Sequence, residues 1–240
     1  MSGMRALIKL GLCLLMLLSL TAWAEVAGQI SYLSGTLAAK DSNGASRLLA
    51  AQSEFNEGDV LNTAQDSYAR LKFVDGTEIV MRPNSILNIK QVKFQEAEPA
   101  ADSFVVGLIK GGMRAVTGLI GKRNKEKVSY GTAVATIGIR GTHFGLLFCQ
   151  GDCQDVKSLI GKPLQDGLHV DVADGSIEIS NKAGSLIVDK EHFAYVADEN
   201  TAPVSADSNP YRAMVPASVM FDENAQVWSE VCKSTTCTMY

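Results

Sequence analysis

Between Ser67 and Met81 apolar and polar side chains alternate with a period of two, interrupted once by Asp75-Gly76. Ala69, Leu71 and Phe73 fall on one side of a strand, and Tyr68, Arg70 and Lys72 on the other. This is the pattern of a ribbon with one buried and one wet face. Asp and Gly suit the positive-φ positions of a tight turn. Thr77, Ile79 and Met81 then resume the inward face, and Pro83-Asn84 closes the unit because proline has no N–H to give to a ladder. The same grammar returns from His169 to Ala173, through Asp174-Gly175, to Ser176–Ser180. Two Asp-Gly hairpins are therefore expected. Lys72-Phe73-Val74-Asp75-Gly76-Thr77 echoes Asp171-Val172-Ala173-Asp174-Gly175-Ser176, which reads as hairpin chemistry used twice, not as a repeat of fixed period.

Further strands are expected at Ala27–Leu33, Thr36–Ala39, Ser85–Val92, Phe104–Ile109, Gly112–Thr117, Lys127–Tyr130, Ala133–Ile139, His143–Phe148, Ser185–Val188 and His192–Val196, with Gly, Asn or Asp in nearly every gap. Few segments carry a helical period. The fold class is all-β: an antiparallel sandwich, a roll or a short β-solenoid of many short strands. Glu96–Asp102 reads as a loop or one helical turn, and Asp152–Gly167 as an inserted loop with a short helix. From 201 to 240 the pattern changes. Pro203, Pro210 and Pro216 break it, and Ala217–Val231 fits a short helix in a less regular C-terminal tail packed on the domain.

The first 24 residues read as a secretory leader. Arg5 and Lys9 precede an apolar run from Leu10 to Leu20, and Ala22-Trp23-Ala24 is a small-x-small cleavage site. The run is about half the ~20 residues a spanning helix needs, so no transmembrane span is expected after cleavage. The domain would cover 25–200. With two of its 22 basic residues in the leader and all 26 acidic ones outside it, the exported chain is acidic. That argues against a nucleic-acid partner. Cys149, Cys153, Cys232 and Cys237 make an even set in an oxidising compartment, and local pairing, Cys149–Cys153 and Cys232–Cys237, is the expected connectivity. A four-thiolate zinc site is the alternative.

Several segments carry a resemblance beyond their periodicity: Glu57-Gly58-Asp59-Val60-Leu61-Asn62-Thr63, Phe73-Val74-Asp75-Gly76-Thr77, Met81-Arg82-Pro83-Asn84-Ser85, Leu108-Ile109-Lys110-Gly111-Gly112-Met113-Arg114, Thr117-Gly118 and Thr132-Ala133-Val134-Ala135-Thr136-Ile137-Gly138-Ile139-Arg140-Gly141-Thr142. In this order and spacing they resemble the FecR domain family, from about Val26 to Ala197. The resemblance implies an all-β extracytoplasmic domain. In the family's regulator branch such domains relay a signal from an outer-membrane receptor to a sigma factor, through a cytoplasmic anti-sigma segment and a retained transmembrane helix. Residues 1–9 are too few for the first, and the leader looks cleavable, so the interaction module is what carries over.

Two constellations stand out. Asp75-Gly76 and Arg140-Gly141-Thr142 are expected to be folding devices. Gly141 allows a tight bend, Arg140 has five donors to tie carbonyls or a carboxylate across it, and Thr142 can bond the local backbone; a ligand contact at Arg140 is the alternative. Lys110, Arg114, Lys122, Arg123, Lys125 and Lys127, against Glu126 alone, form a basic run that is either a patch for an anionic partner or a solvated edge. Gly118-Leu119-Ile120-Gly121-Lys122-Arg123 has the wrong glycine spacing for a phosphate loop. His143, His169 and His192 show no metal-ligand spacing, and no G-x-S-x-G elbow is present. No metal or cofactor is expected. The expected function is a non-enzymatic, periplasmic or surface module binding an envelope protein or polysaccharide. The alternatives are a regulator retained in the inner membrane and a glycan hydrolase using paired carboxylates.

Overall fold

The computed structural model describes residues 25–153, 156 and 164–206. The leader, the segment 217–231 and the pair Cys232 and Cys237 lie outside the described residues, as does most of the 152–167 loop.

Seventeen strands among the described residues form one continuous set of ladders arranged in two layers. The first layer runs β4 (Glu54–Asn56), β1 (Val26–Ser34), β6 (Tyr68–Phe73), β7 (Glu78–Met81), β9 (Ser103–Val116), β12 (His143–Cys149), β13 (Gly167–Asp174), β16 (Phe193–Val196), β17 (Val204–Ala206). The second runs β3 (Ser46–Leu49), β2 (Leu37–Lys40), β5 (Val60–Thr63), β8 (Ile86–Lys93), β9 again, β10 (Val128–Gly131), β11 (Thr136–Ile139), β14 (Ser176–Asn181), β15 (Gly184–Asp189). The all-β class read from the alternation is what the chain adopts, and the layering lies between a sandwich and a roll.

Strand β9 belongs to both layers. Its first half pairs with β8 and β10, and after a bend at Gly111 its second half pairs with β7 and β12. The two strands expected at Phe104–Ile109 and Gly112–Thr117 are therefore one, since the glycine pair between them bends the strand without ending it. The β9–β10 ladder is parallel, an exception to the antiparallel expectation. Strands β3, β4, β5 and β17 were not expected; they are three or four residues long, too short to display a period. The same brevity hid a one-turn helix, α1 (Leu119–Arg123).

Inward side chains of both layers form one core. Phe55, Phe73, Phe104, Tyr130 and Phe144 run through it as a chain of rings with centroids 5.1, 4.9, 5.6 and 4.9 Å apart. Each such aromatic pair adds about 0.5–1.5 kcal/mol beyond the area it removes from water.

The chain changes layer along two opposite margins. At the first, β1 passes into β2, β5 into β6, and β7 into β8, with the corners laced by the Thr36 N–H to Ser67 Oγ and Gly112 N–H to Ser85 Oγ bonds (2.9 and 2.8 Å). At the second, β11 passes into β12, β13 into β14, and β15 into β16. Asp75-Gly76 is a hairpin tip, as expected, with Lys72 paired to Glu78 across it. Asp174-Gly175 is not. β13 pairs with β12 and β16 in the first layer, whereas β14 pairs with β11 and β15 in the second, so this dipeptide is a corner between layers. Gly175 has φ +75°, and a Cβ there would run into the Gly141 carbonyl oxygen. The two corners touch, and only glycine fits between them.

Candidate functional site

The second margin gathers most of the residues singled out by sequence. Its anchor is Asp75, 1 % exposed. Asp75 Oδ1 accepts the Thr77 N–H (2.9 Å), and Oδ2 accepts the Thr77 hydroxyl (2.8 Å) and the Ile120 N–H (3.3 Å). Its carbonyl oxygen accepts the Leu119 N–H (2.9 Å), and Thr77 Oγ1 accepts the Gly118 N–H (2.9 Å). A buried carboxylate surrounded by donors is stable where an unpaired one is not. The turn residue thus fixes α1 across the end of the two layers. Sequence reasoning gave Asp75 its turn but not this second task.

Arg140, Gly141 and Thr142 form the corner beside α1. Gly141 has φ +81°. The Thr142 N–H donates to Thr117 Oγ1 (3.0 Å) and the Thr142 carbonyl accepts the Thr117 N–H (3.1 Å), which stitches the corner to the end of β9. The Arg140 backbone N–H donates to the Ser176 carbonyl (3.0 Å). Its side chain is exposed and makes no hydrogen bond among the described residues. The expectation that its guanidinium ties the bend together is corrected: backbone groups and Thr117 do that work, and the cation is left facing water.

The basic run divides four ways. Lys110 lies at the first margin, 3.3 Å from Asp152. Arg114 is 5 % exposed on the outer face of the first layer, where it reaches over Gly145 to Asp171 (2.6 Å), with His143 Nε2 3.3 Å away. Burial, and then the Arg114 charge, push His143 down to about 4. Arg123 is chelated by Asp102 (2.7 and 2.9 Å), donates to the Gln95 and Glu96 carbonyls (2.8 and 3.3 Å), and lies over the Phe94 ring at 4.7 Å. The Arg123 hydrogen bonds hold the Asp102 carboxyl below its usual range. Arg123 therefore locks the 94–102 loop onto α1, and no periodicity or turn signal pointed to Asp102 as its partner.

Lys122, Lys125 and Lys127 remain exposed at the second margin. The six-residue patch read from the sequence is not one surface; three of its lysines form one with Arg140. Gly121 packs on Ile139, which places α1 directly against the Arg140 corner. Next to these cations Val74 and Leu119 are 45 % and 49 % exposed. The margin therefore presents exposed apolar side chains together with four cations and one acidic residue, Glu126.

Cys149 and Cys153 form a disulfide, Sγ–Sγ 2.06 Å, buried with Leu147, Val156 and Leu164. This is the expected local pair, and it removes two of the four thiolates the zinc alternative needed. Among the described residues no group of three His, Cys, Asp or Glu side chains is placed to hold a metal ion. The other buried carboxylates are also engaged: Asp59 by Arg47, Asp102 by Arg123 and Asp171 by Arg114. No helix among the described residues is long and apolar enough to cross a membrane.

No curated protein matches the chain. Among solved structures, two of a "putative anti-sigma factor" from Parabacteroides distasonis ATCC 8503 are similar, each at 12 % identity over 64 % of this chain, with TM-scores of 0.46 and 0.45. The match spans 61 % of that protein's chain. A "cell surface anchoring domain" matches 26 % of this chain and 82 % of its own at 29 % identity, TM-score 0.25. Residues 59–178, half of the sequence, match the FecR protein family, and they run from the buried Asp59 through the Asp75 anchor and the Arg140 corner into β14. The chain belongs to the FecR protein family.

Proposed function

We propose that this chain is a non-enzymatic FecR-type module of the periplasm that docks an envelope protein through the second margin. The observation that carries this is the division of charged groups. The buried carboxylates are engaged in holding the fold, while Lys122, Lys125, Lys127 and Arg140 stand exposed on the same margin as Val74 and Leu119. Exposed apolar side chains beside charged ones characterise protein docking surfaces, and an excess of cations, four against Glu126, favours a partner face of opposite sign. An acidic protein face fits both parts, whereas an anionic polysaccharide would use the cations alone.

The test is capture of partners from envelope extract with Lys122→Glu/Lys125→Glu/Arg140→Glu, leaving the Arg123 lock intact. Loss of the captured protein is expected. An unchanged set of partners would remove the margin from the proposal. Loss on Leu119→Asp as well separates a protein face from a polysaccharide, for which Leu119 has no use. The mass of the isolated protein's N-terminus tests the periplasmic location: a chain beginning at Glu25 is expected, and one beginning at Met1 would favour a regulator retained in the inner membrane.

A further inference from the structure

The two outer faces of the molecule differ sharply. On the second layer the outward side chains are wet: Asn62, Lys90 and Thr136 are exposed, and Ile109 and Ile187 are 46 % and 50 % exposed. On the first layer Gln29 and Lys72 are exposed, but the outward side chains from β7 to β13 include several that are buried. Val80, flanked along β7 by the core residues Ile79 and Met81, points away from the core yet is 0 % exposed. Leu147, Asp171 and His143 on the same face are 2 %, 2 % and 6 % exposed.

Register places these residues in rows across the layer. Tyr32, Arg70, Val80, Arg114, Gly145 and Asp171 follow one another from β1 to β13. Val80 packs with Tyr32, Tyr68 and Val116, all in its own layer. Lateral neighbours screen the sides of an outward side chain but do not roof it. The disulfide loop seats Cys153, Val156 and Leu164 on Leu147, two strands away. Arg114 is met by Asp171 and Lys72 stands opposite Glu78, which leaves Arg70 and Arg82 as the excess charge of the face, beside the aromatic side chains Tyr32 and Tyr68; apolar and aromatic area of this kind marks a surface built to be covered.

We propose that the C-terminal segment 217–231 is the cover, so that the first layer is roofed by its own chain. Three observations lead there. The described chain ends at β17, the last strand of this same layer, with 34 residues still to follow. The sequence of 217–231 sets Ala217, Met220, Phe221, Val227, Trp228 and Val231 at helical spacing, one apolar stripe long enough for the Tyr32–Val80–Val116 patch. Its charges are acidic, Asp222, Glu223 and Glu230, opposite in sign to Arg70 and Arg82, the excess charge of the face. A tethered cover also needs far less intrinsic affinity than a separate molecule. The roofed face lies apart from the docking margin and is covered whatever partner the second margin takes.

Trp23 and Trp228 are the two tryptophans of the chain, and Trp23 lies in the leader, so in the protein beginning at Glu25 the indole of Trp228 reports on its own surroundings. The expected result is blue-shifted emission with several-fold weaker acrylamide quenching than a free indole, unchanged on dilution. Val80→Asp should move the emission to the red. Because that substitution could unfold the layer, Trp228→Ser in the otherwise native chain is read by hydrogen exchange, and faster exchange over residues 68–82 is expected. Solvent-exposed emission, protection lost on dilution (a second copy as the cover), or unchanged exchange in Trp228→Ser would each overturn the proposal.

Discussion

Asp75-Gly76 and Asp174-Gly175 are the same two residues in nearly the same local sequence, and the molecule uses them for opposite purposes. The first turns a strand back within its own layer and then holds α1 through a buried carboxylate. The second sends the chain from one layer to the other, its aspartate out in solvent 3.1 Å from Lys190. In the first pair the aspartate matters and the glycine has open space around it. In the second the glycine matters, because it lies against the Gly141 carbonyl. A turn dipeptide specifies that the chain reverses or bends; what the residue then does depends on what packs over it.

The largest effect should come from Asp75→Ala. It strands the Thr77 and Ile120 N–H groups and the Thr77 hydroxyl in a buried site, and unfolding in urea should show a loss of about 3–5 kcal/mol, several buried donors at about 1–3 each. Gly175→Ala should follow at about 2–4 kcal/mol, since a positive φ and a close approach to backbone add. Gly76→Ala, at φ +79° with nothing near its Cβ, should cost only about 1–2 kcal/mol by the same measurement. Equal losses for the two glycines would break the comparison. Asp174→Ala should be smallest, within about 0.5 kcal/mol, as for exposed ion pairs generally.

The second aspartate has a subtler effect in acid. Asp174 faces His143 across the β12–β13 ladder and raises its proton affinity against the stronger effects of burial and Arg114, which leave it at about 4. The unfolded chain takes up this proton near the ordinary histidine value and the folded chain only near 4, so this histidine's contribution to stability declines as pH falls between those two values. His143→Gln should flatten that decline in a pH series of thermal unfolding, and Asp174→Asn should steepen it slightly.

The fold was legible where strands are long enough to alternate. Tyr68–Phe73 and Glu78–Met81 place core residues at every second position, and Ile86–Lys93 does so up to Ile89, where the register shifts and Val92 becomes the next core residue. It was not legible at Glu54–Asn56, where one phenylalanine in three residues carries no period, nor at Gly111-Gly112, where two glycines inside a strand look like an interruption. The site was legible in part. Composition located the cations, but proximity along the chain says nothing of which face a β residue takes. Arg114 and Lys110 are four residues apart and serve opposite parts of the molecule. Asp102 and Asp171, which consume Arg123 and Arg114, lie 21 and 57 residues from them, beyond the reach of any local pattern.

Strand β9 completes the interior of both layers at once, so neither half has a finished neighbour until Val116 has been added to the chain. A nascent molecule must therefore hold its first ninety or so ordered positions open, and the two layers should melt as one cooperative unit, without a half-folded species in which either survives by itself.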